Sequence, residues 1–418
     1  MSIKHTLLAG AALSLLVSNA YATEPEDCPP GEGGEQVLNV HTRQIQFGET
    51  HAREVIEAFE VGHAYGAAIG AGNLVTASAP QVDADSEQYL KASVSATAEG
   101  WIAFADGQVG LSATAAGNGI TTAAVNGDLD LRSYQFAREH ISVDATTRGL
   151  VKEADSVVAS ATTSVNAVQA SAAHGDLYAR SSQHSGASAE ALTDIDVWSA
   201  DTYAVAASTA AGNSAAYAVA YGDADIGVHQ VQYGDAIAAT TDLNVGAAQT
   251  AFASASAAAN TLALDGSHGD ARAQIGQQNT SDVAANSYLF VGDAIAGDAA
   301  SVAMGVGNSA ALFAYAGSMN AGLSQENFGA VNVASYLYGE VGGVASNAAT
   351  AIGNAANFAV CANCGDATLT GQVTQYNAGP VHAFAGVNTH AAGHIVNTAT
   401  AIGNTATFSM TQNGGSNH

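Results

Sequence analysis

Asn397–Met410 reads NTATAIGNTATFSM, and Asn347–Val360 reads NAATAIGNAANFAV. The two lines are near copies set 50 residues apart, with an asparagine in the same slot, Asn354 and Asn404. The slot recurs upstream at Asn73, Asn118, Asn166, Asn213, Asn260 and Asn308, so the successive spacings are 45, 48, 47, 47, 48, 46 and 50. A glutamine follows the same phase at Gln44, Gln88, Gln135, Gln183, Gln230, Gln277, Gln325 and Gln375. A Gly-Asp pair marks a third position at Gly127-Asp128, Gly175-Asp176, Gly222-Asp223 and Gly269-Asp270. Two anchors held in one register over eight copies, with a third in four of them, make a repeat array.

The local pattern selects the kind of repeat. TATAIGNTATFSM alternates in steps of two, as does GPVHAFAGVN at Gly379–Asn388, and that period belongs to strands. Gly-Asp, Gly-Asn and Asn-Gly pairs punctuate the runs as turns. Proline stands only at positions 25, 29, 30, 80 and 380, outside most strand interiors, where it would remove a ladder donor. The fold expected is all-β: a repetitive β-solenoid, like a parallel β-helix, of about eight ~47-residue repeats following a signal peptide. One rung or two rungs per repeat both fit the period. In stacked parallel strands, equivalent amides lie above one another. The columns Asn73, Asn118, Asn166, Asn213, Asn260, Asn308, Asn354 and Asn404, and Gln135, Gln183, Gln230, Gln277, Gln325 and Gln375, are therefore read as structural amide ladders.

Hydrophobic residues make up 48% of the 418-residue chain, but aromatics only 6%, and glycine numbers 45. Such a chain buries area by close backbone approach, with small side chains between. The first residues, MSIKHTLLAGAALSLLVSNAYA, join Lys4 to an apolar run and an Ala20-Tyr21-Ala22 cleavage signal. Residues 1–22 read as a secretory signal peptide cleaved after Ala22. Residues 23–40 read as an acidic flexible leader, 41–410 as the solenoid and 411–418 as a loose tail. Cys361 and Cys364, in CANC, fall in a four-residue insertion of the seventh repeat. In an exported protein they are a disulfide candidate; Cys28 is left over.

A net charge of −27 disfavours nucleic acid and anionic lipid as partners. No set of acids forms a distinct acid–base pair, no H-x-x-x-H spacing points to zinc, and no phosphate loop is present. No catalytic, metal or cofactor-binding residue is assigned, and the chain is not read as an enzyme. Two rival readings stand beside a structural role. One is an exported β-helix enzyme that processes polysaccharide, which needs clustered carboxylates. The other is a calcium-stiffened secreted repeat protein, in which Asp128, Asp176, Asp223 and Asp270 would share ions if each repeat is one rung.

The repeated ATAIGN-x-A-x-F units and the run Gln375-Tyr376-Asn377-Ala378-Gly379-Pro380-Val381-His382-Ala383, with the leader and the acidic Ala/Gly-rich character, resemble the holdfast anchor protein D family. They are more distantly similar to curli-type amyloid repeats. The resemblance implies an exported, outer-membrane-associated surface protein. Its role would be to anchor a holdfast-type adhesive polysaccharide to the cell envelope. Its implied partners are other holdfast anchor proteins and a curli-type secretion pore. It implies no catalytic residues. Unpaired rung ends add self-association as a further expectation.

Overall fold

The computed structural model describes residues 37–363 and 367–413. The residues read as a signal peptide with its cleavage point, Cys28, Cys364 and the last residues of the tail lie outside them. Every regular element among the described residues is a β-strand, and all pair in parallel. Each repeat is one rung, not two: Asn73 stands directly opposite Asn118, and Gln135 opposite Gln183.

The first rung is β1 (Val37–Gln46), β2 (Thr50–Val61) and β3 (Ala64–Ala79); the second is β4 (Gln81–Leu90) and β5 (Val94–Ala124). The third is β6 (Leu129–Ala137) and β7 (Ser142–Ala173), and the fourth β8 (Leu177–Ser185) and β9 (Ser188–Ala220). The fifth comprises β10 (Ala224–Gln232), β11 (Ala236–Ala248) and β12 (Thr250–Ser267), and the sixth β13 (Ala271–Asn279), β14 (Asp282–Ile295) and β15 (Ala299–Tyr315). The seventh is β16 (Met319–Asn327), β17 (Val331–Tyr338) and β18 (Val341–Asn363), and the eighth β19 (Leu369–Asn377), β20 (Val381–Asn388) and β21 (Ala392–Asn413). The strands thus begin and end a few residues outside the 41–410 span that the anchors mark. At about 4.8 Å per rung, the stack rises roughly 38 Å.

Every rung has a short segment, a middle segment and a long segment. The short segments form an 8-stranded sheet, β1-β4-β6-β8-β10-β13-β16-β19. The long segment lies across the other two as the opposite layer. Asn166 reaches from it to the short segment at His184, and Thr147 reaches back to it from the middle segment at Ser160. Three apolar clusters lie side by side between the layers. One holds Leu129, Leu177 and Ile226, the next Leu90, Val143 and Ile237, and the third Val151, Ile195 and Leu243. Alanine dominates all three, which matches a core set by backbone proximity.

Alternation fails at one place in each long segment. Val165, Asn166, Ala167 and Val168 are all buried in succession. The strand bends there, turning two adjacent side chains inward, and the asparagine occupies the bend. The Ala-rich window Ala251–Asn260, whose composition would suit a helix, is strand in β12.

The Gly-Asp turns stack as closely as backbone permits. A Cβ on Gly175, Gly222 or Gly269 would overlap the backbone of the glycine one rung below. The residue before each of these is left-handed: His174 at φ 57°, Tyr221 at 59° and His268 at 60°. Cys361 is a strand residue of β18, paired with Tyr315 and Thr411. It therefore precedes the lengthened turn in which the sequence had put both cysteines.

Candidate functional site

The recurring amides face inward and bond to one another. Asn73 Nδ2 donates to Asn118 Oδ1 at 2.8 Å, and the column continues through Asn166, Asn213, Asn260, Asn308 and Asn354 to Asn404. The second hydrogen of each amide crosses the interior to a short-segment carbonyl, as from Asn213 to Val231 O at 3.0 Å. The glutamines reciprocate. Gln135 Nε2 donates to Gln88 Oε1 at 2.8 Å and to Ala167 O at 2.9 Å, and Gln183, Gln230, Gln277, Gln325 and Gln375 repeat both bonds. From Asn118 to Asn354 and from Gln88 to Gln325 these side chains are almost wholly buried. They present nothing to a ligand; they tie the two layers together and set the register.

The Gly-Asp column is also engaged internally. Asp128 Oδ1 accepts the backbone N–H of Asp176 at 2.9 Å, Asp176 that of Asp223 at 2.8 Å, Asp223 that of Asp270 at 2.8 Å, and Asp270 that of Ser318 at 2.9 Å. Each carboxylate caps the turn above it. Among the described residues, no three His, Cys, Asp or Glu side chains gather around a point that suits a metal ion.

Chemistry directed at solvent concentrates on the outer face of the middle segments. In one column Asp194, Asp242, Tyr288 and Tyr336 lie in successive rungs; beside it run Asp196, Asn244, Phe290 and Tyr338. Tyr288 and Tyr336 stack with centroids 5.2 Å apart and planes within 4°. Tyr336 also stacks on Tyr338 at 6.1 Å and lies 5.1 Å from Phe384. Gly386, above Tyr336 in the column, has no side chain, and the Phe384 ring lies in the space a Cβ would take. Phe290 and Phe384 are 51% and 54% exposed.

The carboxylates border this aromatic platform. Burial, then the charges of Asp194 and Asp196, pushes the Asp242 carboxyl above its ordinary 3.8. Burial, with Tyr336 and Asp242 beside it, raises the Tyr288 phenol, which keeps its O–H as a donor at neutral pH. Asn244 Nδ2 donates to Asp196 Oδ1 at 2.9 Å and so fixes the amide. Flat rings with a polar tip, next to oriented carboxylates and an amide, suit a ligand with apolar faces and hydroxyl edges. The signal was present in the sequence as SYLF at Ser287–Phe290 and SYLY at Ser335–Tyr338, 48 residues apart, but the inward amides carried the phase and the outward rings were not aligned. A smaller aromatic column crosses the short-segment sheet: Tyr89, Tyr134, His184 and His229, at centroid steps of 5.8, 5.9 and 5.5 Å.

Residues 76–330 match the family described as holdfast attachment protein D. The chain belongs to that family. The matched span opens in β3 and closes just before β17, so it covers more than half of the chain. It takes in the acidic part of the middle-segment face together with Tyr288 and Phe290. A role in holdfast attachment follows from membership, and with it a place at the cell surface or envelope. No curated protein and no solved structure matches the chain.

Proposed function

We propose that this protein is a surface-exposed structural anchor that holds the adhesive holdfast polysaccharide to the outer membrane. It grips the polymer on the platform formed by Tyr288, Phe290, Tyr336, Tyr338 and Phe384, with Asp194, Asp196, Asp242 and Asn244 beside it. The observation that carries the reading is the stacked, solvent-facing aromatic column on a rigid sheet, in a chain whose family serves holdfast attachment. Sugar rings lay their apolar faces on aromatic rings and give their hydroxyls to carboxylates and amides. Strands hold such groups in place without an ordering cost at binding. A polymer that engages successive rungs gains from effective concentration, so weak contacts add. Export after cleavage at Ala22, through a curli-type secretion pore, and assembly with other holdfast anchor proteins complete the proposal.

Deletion of the gene followed by lectin labelling of cells and medium tests it. An anchor loss leaves polysaccharide synthesis intact and sheds the polymer into the medium. Polymer that stays on cells unchanged rejects the anchor role. The cluster of Asp194, Asp196 and Asp242, with the Asp242 carboxyl raised, favours a second reading, an enzyme that processes polysaccharide. That reading requires a change in polymer length upon deletion, and a D242N variant that reproduces it.

A further inference from the structure

The outer face of the 8-stranded sheet gathers arginines. Arg43, Arg132, Arg180 and Arg272 are exposed on it, in a chain with 10 lysines and arginines against 37 acids. Three of them have a carboxylate partner: Arg43 with Glu87 at 3.5 Å, Arg132 with Asp130 at 3.6 Å and Arg180 with Asp225 at 3.0 Å. Arg272 makes no ion pair among the described residues. The residue below it in its column is Asp225. Asp225 is already engaged, since Arg180 donates to its Oδ1 at 3.0 Å and to its backbone carbonyl at 2.9 Å.

The face is dished next to Arg272. A shallow depression of about 350 Å³ lies over β8, β10 and β13, lined by Arg180, Ser182, Gly227, His229 and Gln274. That volume is at the small end of ligand sites. Glycines shape its surroundings. Gly227 stands directly above Arg180, Gly276 above His229 and Gly322 above Gln274. A Cβ on Gly227 would come within 2.8 Å of Arg180 Cδ, one on Gly276 within 3.2 Å of His229 Cδ2, and one on Gly322 within 2.6 Å of Gln274 Oε1. Each glycine therefore lets the long side chain below it lie along the sheet. Arg180 is pinned in that posture by a further bond to Ala179 O at 3.0 Å. Ser182 Oγ lies 3.0 Å from His184 Nε2. The Tyr134, His184 and His229 rings follow at tilts of 40° and 49° to one another, so neighbours do not cover each other's faces.

The depression offers guanidinium N–H groups, a primary amide and a hydroxyl, with imidazole and phenol rings at its rim. Its carboxylates are occupied. Asp225 is held by Arg180, and the turn aspartates Asp223 and Asp270 each give an oxygen to a backbone N–H one rung above. One positive charge, Arg272, is left without a partner. A planar carboxylate meets a guanidinium fork with two parallel bonds, and its single charge answers the single surplus. A phosphate monoester would bring about two. An acidic peptide would use the charge and leave the rings and the amide idle.

We propose that this depression binds a carboxylate-bearing sugar, a hexuronate unit of an acidic polysaccharide. The carboxylate sits on Arg272, ring hydroxyls meet Gln274 and Ser182, and the apolar face of the sugar lies against His229. The site shares no residue with the middle-segment platform, so neither reading rests on the other.

Calorimetric titration of the purified exported chain with trigalacturonate at low salt tests the site. The expected wild-type result is saturable binding that weakens as salt is added. R272Q is expected to weaken it by about tenfold or more, the scale of a hydrogen bond to a charged group. G227A, which displaces Arg180, is expected to weaken it to a lesser degree. R53Q removes the same charge from the middle segment and is expected to leave binding unchanged. Maltotriose, which is neutral, and hexaglutamate are expected not to bind. Absence of saturable trigalacturonate binding would overturn the proposal, as would equal binding by R272Q or an equal loss in R53Q. Maltotriose or hexaglutamate binding as tightly as trigalacturonate would overturn the assignment of an acidic sugar. If the melting curve shows that R272Q does not fold, backbone amide shifts of the wild type on titration decide. Shifts centred on Gly227, His229 and Arg272 support the site, and shifts confined to other faces reject it.

Discussion

A single amide in mid-ladder does three jobs at once. Asn213 accepts from Asn166, donates to Asn260 and donates to Val231 O. Replacing it with leucine strands a buried donor and two buried acceptors, each costing about 1–3 kcal/mol. N213L should lower the unfolding free energy by roughly 3 kcal/mol or more, whereas N404A, at the exposed end of the column, should barely change it; chemical denaturation of both variants checks the contrast. Glycine has the same positional logic. A Cβ at Gly222 would overlap the Gly175 carbonyl, while one at Gly48 would meet nothing within 4 Å, so G222A should destabilise and G48A should not. Titration acts in two directions. His184 is held below its ordinary 6.5 by burial and then by His229. The folded state therefore binds its proton less readily, and stability should fall as pH drops below 6.5. H184Q should remove that loss in pH-dependent melting. Asp242 is raised, so its ionised form is a burden at neutral pH that is lifted as pH falls through its folded value toward 3.8. D242N should melt higher than wild type at pH 7 and alike in acid, while weakening polymer retention.

Strands and turns were legible to different degrees. The period-two runs and the Gly-Asp turns disclose the strands and the 47-residue phase, because both are set by neighbours along the chain. The number of rungs per repeat is not local. β9 runs without a break from Ser188 to Ala220, passing from the middle to the long segment with no glycine or proline to mark the corner. The Gly212-Asn213 pair, which reads as a turn, lies inside β9 with its amide buried, so the strand bends there without reversing and the repeat is one rung. The platform was missed for a related reason. Its rings face outward, where the sequence varies from rung to rung: Asp194 and Asp242 occupy the column that Tyr288 and Tyr336 continue. At this scale the face predicts its own test. Y336A removes the ring that touches Tyr288, Tyr338 and Phe384; it should reduce polysaccharide retained per cell several-fold while leaving the melting curve nearly unchanged.

The whole molecule is a stack in which each rung meets only its neighbours, so its stability is a sum of rung and interface terms. Charge is distributed unevenly along it: no lysine or arginine follows Arg272, so the seventh and eighth rungs, which carry Tyr336, Tyr338 and Phe384, have neither. The Asp column that could have held cations instead caps backbone N–H groups. Melting curves should therefore superimpose with and without a chelator; a large drop with chelator would restore the calcium-stiffened reading.

One rung per repeat also has a consequence for how such a protein is lengthened. Because each residue sits over its counterpart one repeat earlier, an in-frame duplication of a single repeat re-forms every ladder at once. The new copy finds its amides, glycines and aspartates already opposite their counterparts. Height thus becomes a heritable dial, set by copy number and turned without redesigning a core.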